Sequence, residues 1–148
     1  MNKNLARCVL EARGEWMAIL AADDSYVSHA LETAHREMGR RQNLVLWVHS
    51  ELVFDAKFVG IRVIHADAIT LGAEQTAATL YMKGNIFGPL SNFIFRRSCA
   101  ISHDLNFAEG TQSVDSRFWI RLLKANPEAG VFYWPDALSP CAASRGFL

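Results

Sequence analysis

Residues 16–20, WMAIL, form a continuous apolar run closed by Gly14 on one side and by Asp23 and Asp24 on the other. A short run of this kind reads as a strand buried on both faces, the pattern of a parallel sheet. The acidic pair then falls at the C-terminal end of that strand. In open α/β sheets this is the edge where ligands bind. A chain organised about this segment is expected to be an α/β domain with its chemistry at the strand end.

The surrounding pattern supports such a domain. Leu5, Val9 and Leu10 sit at helical spacing, and Gly14 can end that helix. After the acidic pair, Ser28 is a candidate N-cap for a helix whose apolar face is Ala30, Leu31, Ala34 and Met38. Gly39 and the Arg40–Arg41 pair close it. Residues 44–48 predict a second strand, and residues 52–54 and 61–64 two more, joined by a turn over 55–60. A short helix is expected over 73–82, a loop over 84–89, and a strand over 92–95 that runs into Arg96 and Arg97. Ser113 can cap a helix from Val114 to about Lys124. Residues 131–134 predict a last strand, stopped by Pro135. Alternating strands and helices without a repeat or linker imply one domain with a mixed sheet and flanking helices.

Composition narrows the class of partner. The 148 residues suffice for one domain with a proper core. Fifteen basic and fifteen acidic residues cancel, so no long-range field draws in nucleic acid or anionic lipid. The three cysteines, Cys8, Cys99 and Cys141, are scattered. That argues against a disulfide framework or a zinc site and fits a reducing compartment. Residues 1–16 lack the apolar core of a secretory signal. No apolar run approaches the roughly 18 residues that a membrane span needs. The expected location is cytoplasmic, with association at the inner face of a membrane left open.

Three stretches, in order, resemble the family 2 glycosyltransferases of the GT-A fold. The first is GEWMAILAADDSYV (14–27), similar to the family's helix-ending Gly, strand and acidic turn. The second is GNIFGPLSNFIFRRS (84–98), similar to a loop and strand ending in an Arg-Arg pair beside the acceptor. The third is FAEGTQSVDSRFWIRLL (107–123), similar to an acidic segment that opens a helix with a D-x-x-x-W-x-R-L pattern. With the strand and P-x-x-L that follow, the resemblance spans nearly the whole chain.

The resemblance implies transfer of a sugar from a nucleoside-diphosphate sugar to the hydroxyl of a saccharide or lipid-linked acceptor. The diphosphate leaves with developing negative charge, which a divalent cation can neutralise. Mg²⁺ and Mn²⁺ prefer carboxylate oxygens and are commonly held by one or two carboxylates plus substrate phosphates. By resemblance Asp23 falls on the metal position and Asp24 on a donor diphosphate or sugar contact, with Arg97 beside the donor. Asp115 falls on the general base of an inverting, single-displacement transfer. Arg96 and Trp119 fall at the acceptor, where a guanidinium can steer an anionic group and a ring can meet a sugar face.

Read without the resemblance, the same residues have plainer roles. Asp23 and Asp24 can be a turn or a helix cap. Asp115 suits the first turn of any helix because of the macrodipole. Arg96 and Arg97 can be a solvated strand end. Phe118, Trp119 and Leu122 can be core.

The chain also departs from the family pattern. Ala21 stands where the family's first motif carboxylate would be, and residues 139–148 carry no counterpart of its late Arg-x-His. Thirteen residues before Gly14 are too few for the nucleotide-binding βαβ unit, which takes about 30 or more. The expected architecture is thus a truncated GT-A-like domain over residues 1–148. The alternative reading is a non-catalytic α/β remnant that binds a partner, either the missing N-terminal half or another copy of itself. A strand without its parallel neighbours leaves an edge open for pairing. The thermal transition of the isolated chain is therefore predicted to depend on protein concentration. A sharp, concentration-independent transition of a monomer contradicts that expectation.

Overall fold

A computed structural model describes residues 2–54, 59–102 and 114–142. In chain order they form α1 (Asn2–Glu11), β1 (Trp16–Ala18), α2 (Ala30–Gly39), β2 (Leu44–Phe54), β3 (Val59–Arg62), β4 (Ile69–Gly72), α3 (Ala73–Lys83), a 3₁₀ turn (Leu90–Asn92), β5 (Phe93–Arg96), α4 (Arg97–Ile101), α5 (Val114–Ala125) and β6 (Gly130–Ala142).

The six strands make one mixed sheet in the order β1-β5-β2-β6-β4, with β3 pairing β2 off this path. Its spine is the long parallel pair β2 and β6. The other pairings are antiparallel. Side chains alternate across the strands and build two apolar layers. Leu44, Trp47, Ile94, Phe132 and Leu138 face α2, through Ala30, Ala34 and Met38. Val48, Phe93, Phe95, Val131 and Tyr133 face the opposite layer, where Val9, Ala77, Leu80, Phe118, Trp119, Leu122 and Leu123 pack. The expected mixed sheet with flanking helices is present.

Several boundaries differ from expectation for identifiable reasons. The apolar run 16–20 yields only a three-residue strand, and it is antiparallel to β5 rather than a parallel strand inside the sheet. Ala21 turns its N–H away to the Ser91 hydroxyl at 3.1 Å. Among the described residues β1 lies on the sheet edge. The two strands expected over 44–48 and 52–54 are one strand, because the polar triplet His49–Ser50–Glu51 stays extended and buried. β6 runs past Pro135. Trp134 pairs with His49 and Ala137 with Ser50, so Pro135 and Asp136 form a bulge where no ladder N–H is required.

In α2 the N-cap is His29, not Ser28, and no side chain caps the helix. Leu31 is 58% exposed, and Thr33 and Glu37 are buried instead. Glu37 receives Arg41 at 2.9 Å, Arg40 at 3.0 Å and Arg36 at 3.3 Å. The Arg41 contact foremost holds its carboxyl below the usual carboxylate range. The Arg41 guanidinium in turn lies 3.6 Å over the Phe132 ring, which ties the helix end to the sheet. β4 and the short α4 lie outside the expected elements, and Ser113 lies outside the described residues.

Trp119 belongs to the core. It is fully buried and stacks on Phe93 at 4.4 Å between centroids, with Phe118 and Phe95 at its edges. Truncation of a buried aromatic leaves a cavity that costs roughly 3–5 kcal/mol. Trp119→Ala should therefore lower unfolding free energy in urea by that amount, and a loss below about 1 kcal/mol would contradict the core placement.

Candidate functional site

The acidic pair sits on a turn just beyond β1. The Asp24 N–H donates to the Ala21 carbonyl at 3.1 Å, closing residues 21–24. Asp23 is exposed and Asp24 half-buried. Because β5 runs antiparallel to β1, this end of β1 meets the 3₁₀ turn that precedes β5. Ser91, at the centre of that turn, accepts from the Ala21 N–H at 3.1 Å and donates to Asp24 Oδ2 at 2.5 Å. Its carbonyl accepts from the Tyr26 hydroxyl at 3.0 Å. Burial and then the Asp24 charge push the Tyr26 phenol up to about 12, so it remains a proton donor at any ordinary pH.

Behind the turn lies a buried polar seam. Asn92 donates to Glu51 Oε2 at 3.1 Å and to the Phe87 carbonyl at 3.1 Å, and accepts from the Ser139 hydroxyl at 2.9 Å. Ser50 Oγ accepts from the Ile64 N–H at 3.2 Å. His49, Ser50, Glu51, Ser91, Asn92 and Ser139 are all at most 1% exposed. These residues come from the later parts of β2 and β6 and from the turn before β5. They cluster there because the parallel strands leave the aromatic core at this end. Pattern reading of the sequence missed them: each is an isolated polar residue in or beside an apolar strand, and the polar triplet 49–51 is the one local signal that sets them apart.

The predicted site residues divide between two ends of the sheet. Asp23 and Asp24 lie at the seam. Arg96 and Arg97 do not. Arg96 pairs across the ladder with Trp16, at the start of β1. It donates to the Leu44 carbonyl at 3.0 Å, pairs with Glu15 and lies over the Trp16 ring. Arg97 donates to the carbonyls of Val9 at 3.1 Å and Leu10 at 3.2 Å, closing the C-terminal end of α1. Phe93 and Arg96 are themselves about 10 Å apart at roughly 3.3 Å of rise per strand residue. The antiparallel register thus places Arg97 at the opposite end of the β1–β5 pair from Asp24. Arg96 lines an open groove of about 640 Å³ with Trp16, Met38 and Arg41, at the end of the sheet away from the acidic turn. Trp119, the other expected acceptor contact, has no free ring face. Asp115 stands in the first turn of α5, and its side chain lies outside the described residues, as do residues 143–148.

The carboxylates of this turn that could hold a divalent cation are Asp23 and, beside it, Asp24. Among the described residues no group of three or more His, Cys, Asp or Glu could hold a metal unaided. The protein would supply one or two carboxylates and a diphosphate the rest, which is the usual arrangement for Mg²⁺.

No family model matches the chain, and no curated protein matches it. Solved structures do. The structure of S. aureus TarS 1–349 in complex with UDP gives a TM-score of 0.73 at 14% identity, over 97% of this chain and 40% of that one. The complex with UDP-GlcNAc gives the same TM-score and identity over 99% of this chain and 40% of that one. The S. aureus TarS structure gives 0.73 at 15% identity, over 97% of this chain and 24% of that one. This chain thus spans less than half the length of these structures. The likeness shows the fold, a mixed α/β sheet with flanking helices. No described helix is long and apolar enough to cross a membrane.

One residue of the seam is a buried imidazole. His49 Nδ1 meets the Ser50 carbonyl at 2.7 Å, and Nε2 is buried without a hydrogen bond. Burial pushes the imidazole below its ordinary value, against the backbone of Ser50 and Ser91. The unfolded chain then binds the proton more readily than the folded one. Stability from this group is complete above about pH 6.5 and is lost as pH falls through the lowered folded value. The urea midpoint should fall between pH 7.5 and 5.5, and His49→Gln should flatten that fall. An unchanged slope in His49→Gln would contradict this.

Proposed function

We propose that this chain carries the metal-and-diphosphate corner of a family 2, GT-A-type glycosyltransferase acting on a nucleoside-diphosphate sugar. The observation that carries the reading is the acidic turn at the C-terminal end of a strand, in a fold like that of a protein solved with UDP and with UDP-GlcNAc. Asp23, exposed at the tip, binds Mg²⁺ or Mn²⁺ jointly with the donor diphosphate. Asp24, beside it, is held by the Ser91 hydroxyl. The bound ion supplies charge neutralisation for the departing diphosphate.

Transfer is a single displacement with inversion. The acceptor oxygen attacks the anomeric carbon, the bond from that carbon to the diphosphate oxygen breaks, and the acceptor proton passes to the Asp115 carboxylate. The acceptor is a saccharide or lipid-linked hydroxyl of surface polysaccharide synthesis, and the reaction takes place in the cytoplasm or at the inner membrane face. A second reading, a non-catalytic α/β module that binds a partner chain or another copy of itself, is favoured by the edge position of β1 among the described residues and by Ala21 at a motif carboxylate.

Two measurements test the enzyme reading. Calorimetric titration should show UDP binding that requires Mn²⁺, and Asp23→Ala should weaken it at least about tenfold, whereas unchanged binding would remove the metal assignment. Once a donor and acceptor pair turns over, Asp115→Asn should lower kcat by about 10²–10⁴, the usual worth of a general base. Full activity in that variant would remove Asp115 from the chemistry.

A further inference from the structure

Ser91 touches the acidic turn at three points, through its hydroxyl to Ala21 and Asp24 and through its carbonyl to Tyr26. A serine hydroxyl has a single proton. Accepting from Ala21 and donating to Asp24 leave that rotor one orientation. The residue is fully buried. Its neighbour Asn92 is locked in turn by Glu51, Phe87 and Ser139. The β1–β5 ladder ends before this point, at Ala18 and Ile94. The contact therefore adds nothing to strand pairing and fixes only the turn.

Within the turn the two carboxylates are treated differently. Asp24 gives one oxygen to the protein at 2.5 Å. Asp23 is exposed, and its carboxylate makes no hydrogen bond or ion pair to another described residue.

We propose that Ser91 is a positioning residue that commits Asp24 to the protein as a brace, so that Asp23 is presented to the cation in a fixed orientation. This rests on the metal-dependent reading above and deepens it, by assigning unequal roles to the two acidic residues and naming the residue that sorts them. A brace needs an acceptor at position 24 rather than a charge. The amide oxygen of Asn can accept from Ser91 as the carboxylate does. Residues that orient a metal ligand without touching the metal typically change affinity by 10–100-fold when removed. Partners in a single contact also show strong non-additivity in a double-mutant cycle.

The test is Mn²⁺ titration in the presence of UDP, followed by electron paramagnetic resonance, which needs no turnover. Ser91→Ala and Asp24→Ala should each weaken Mn²⁺·UDP binding about tenfold, and the double variant no more than either single one. Asp24→Asn should bind within about threefold of the original chain, because it keeps the brace. Additive losses in the double variant, or a loss in Asp24→Asn as large as that in Asp23→Asn, would overturn the proposal by making Asp24 a ligand in its own right.

Amide exchange at Ala21 separates the brace from the enzyme reading. Exchange there should accelerate in Ser91→Ala and Asp24→Ala and remain slow in Asp24→Asn. If the unaltered chain binds no Mn²⁺·UDP while this exchange pattern holds, the metal reading fails and the brace stands. Exchange at Ala21 that ignores all three substitutions overturns the brace, whatever the metal does.

Discussion

Burying Glu51 sets the terms for this end of the molecule. A carboxyl group at 1% exposure must be hydrogen-bonded, because a buried polar group without a partner is costly. Asn92 meets it and is itself held by the Phe87 carbonyl and the Ser139 hydroxyl. That arrangement requires the 3₁₀ turn Leu90–Asn92, which places Ser91 against the acidic turn. Orientation at Asp24 is thus inherited from a polar residue on β2, 27 positions later in the chain. Half-satisfied networks of this kind are unstable, whereas satisfied ones specify a single arrangement.

The two ends of the β1–β5 pair have different jobs. At the start of β1, Arg96 and Arg97 close backbone carbonyls of β2 and α1 and hold the helical layer to the sheet. At the end of β1, oxygen-rich groups gather around a turn. A motif comparison along the chain places Arg97 and Asp24 in one functional group, since both flank strands of the same motif set. The antiparallel register separates them. Strand direction, which no linear pattern encodes, decides which charged residues lie at the same end of the sheet.

Local chemistry was a good guide where it was periodic and a poor one where contacts are distant in sequence. The apolar stripes of α2 and α5 and the strands 44–48, 92–95 and 131–134 were legible, because burial on one face writes a period into the chain. Residues 44–54 read as two strands because His49, Ser50 and Glu51 resemble a break. Their partners lie 14 to 47 positions away for Ser50, Glu51 and the Asn92–Ser139 link, beyond any local window. Pro135 reads as a stop, yet a bulge carries β6 past it. Of the site, Asp23 and Asp24 were legible as an acidic strand end, while Ser91 and Asn92 were hidden in a loop pattern rich in Gly and Pro.

The central claim is that Asp23 holds a divalent cation shared with a nucleoside diphosphate. Anomalous diffraction from crystals of this chain grown with Mn²⁺ and UDP tests it directly. The account predicts a manganese peak coordinated by the Asp23 carboxylate and by UDP phosphate oxygens, with the Ser91–Asp24 hydrogen bond intact. A manganese site elsewhere, or UDP seated in the groove beside Arg96 with no metal at Asp23, would contradict it.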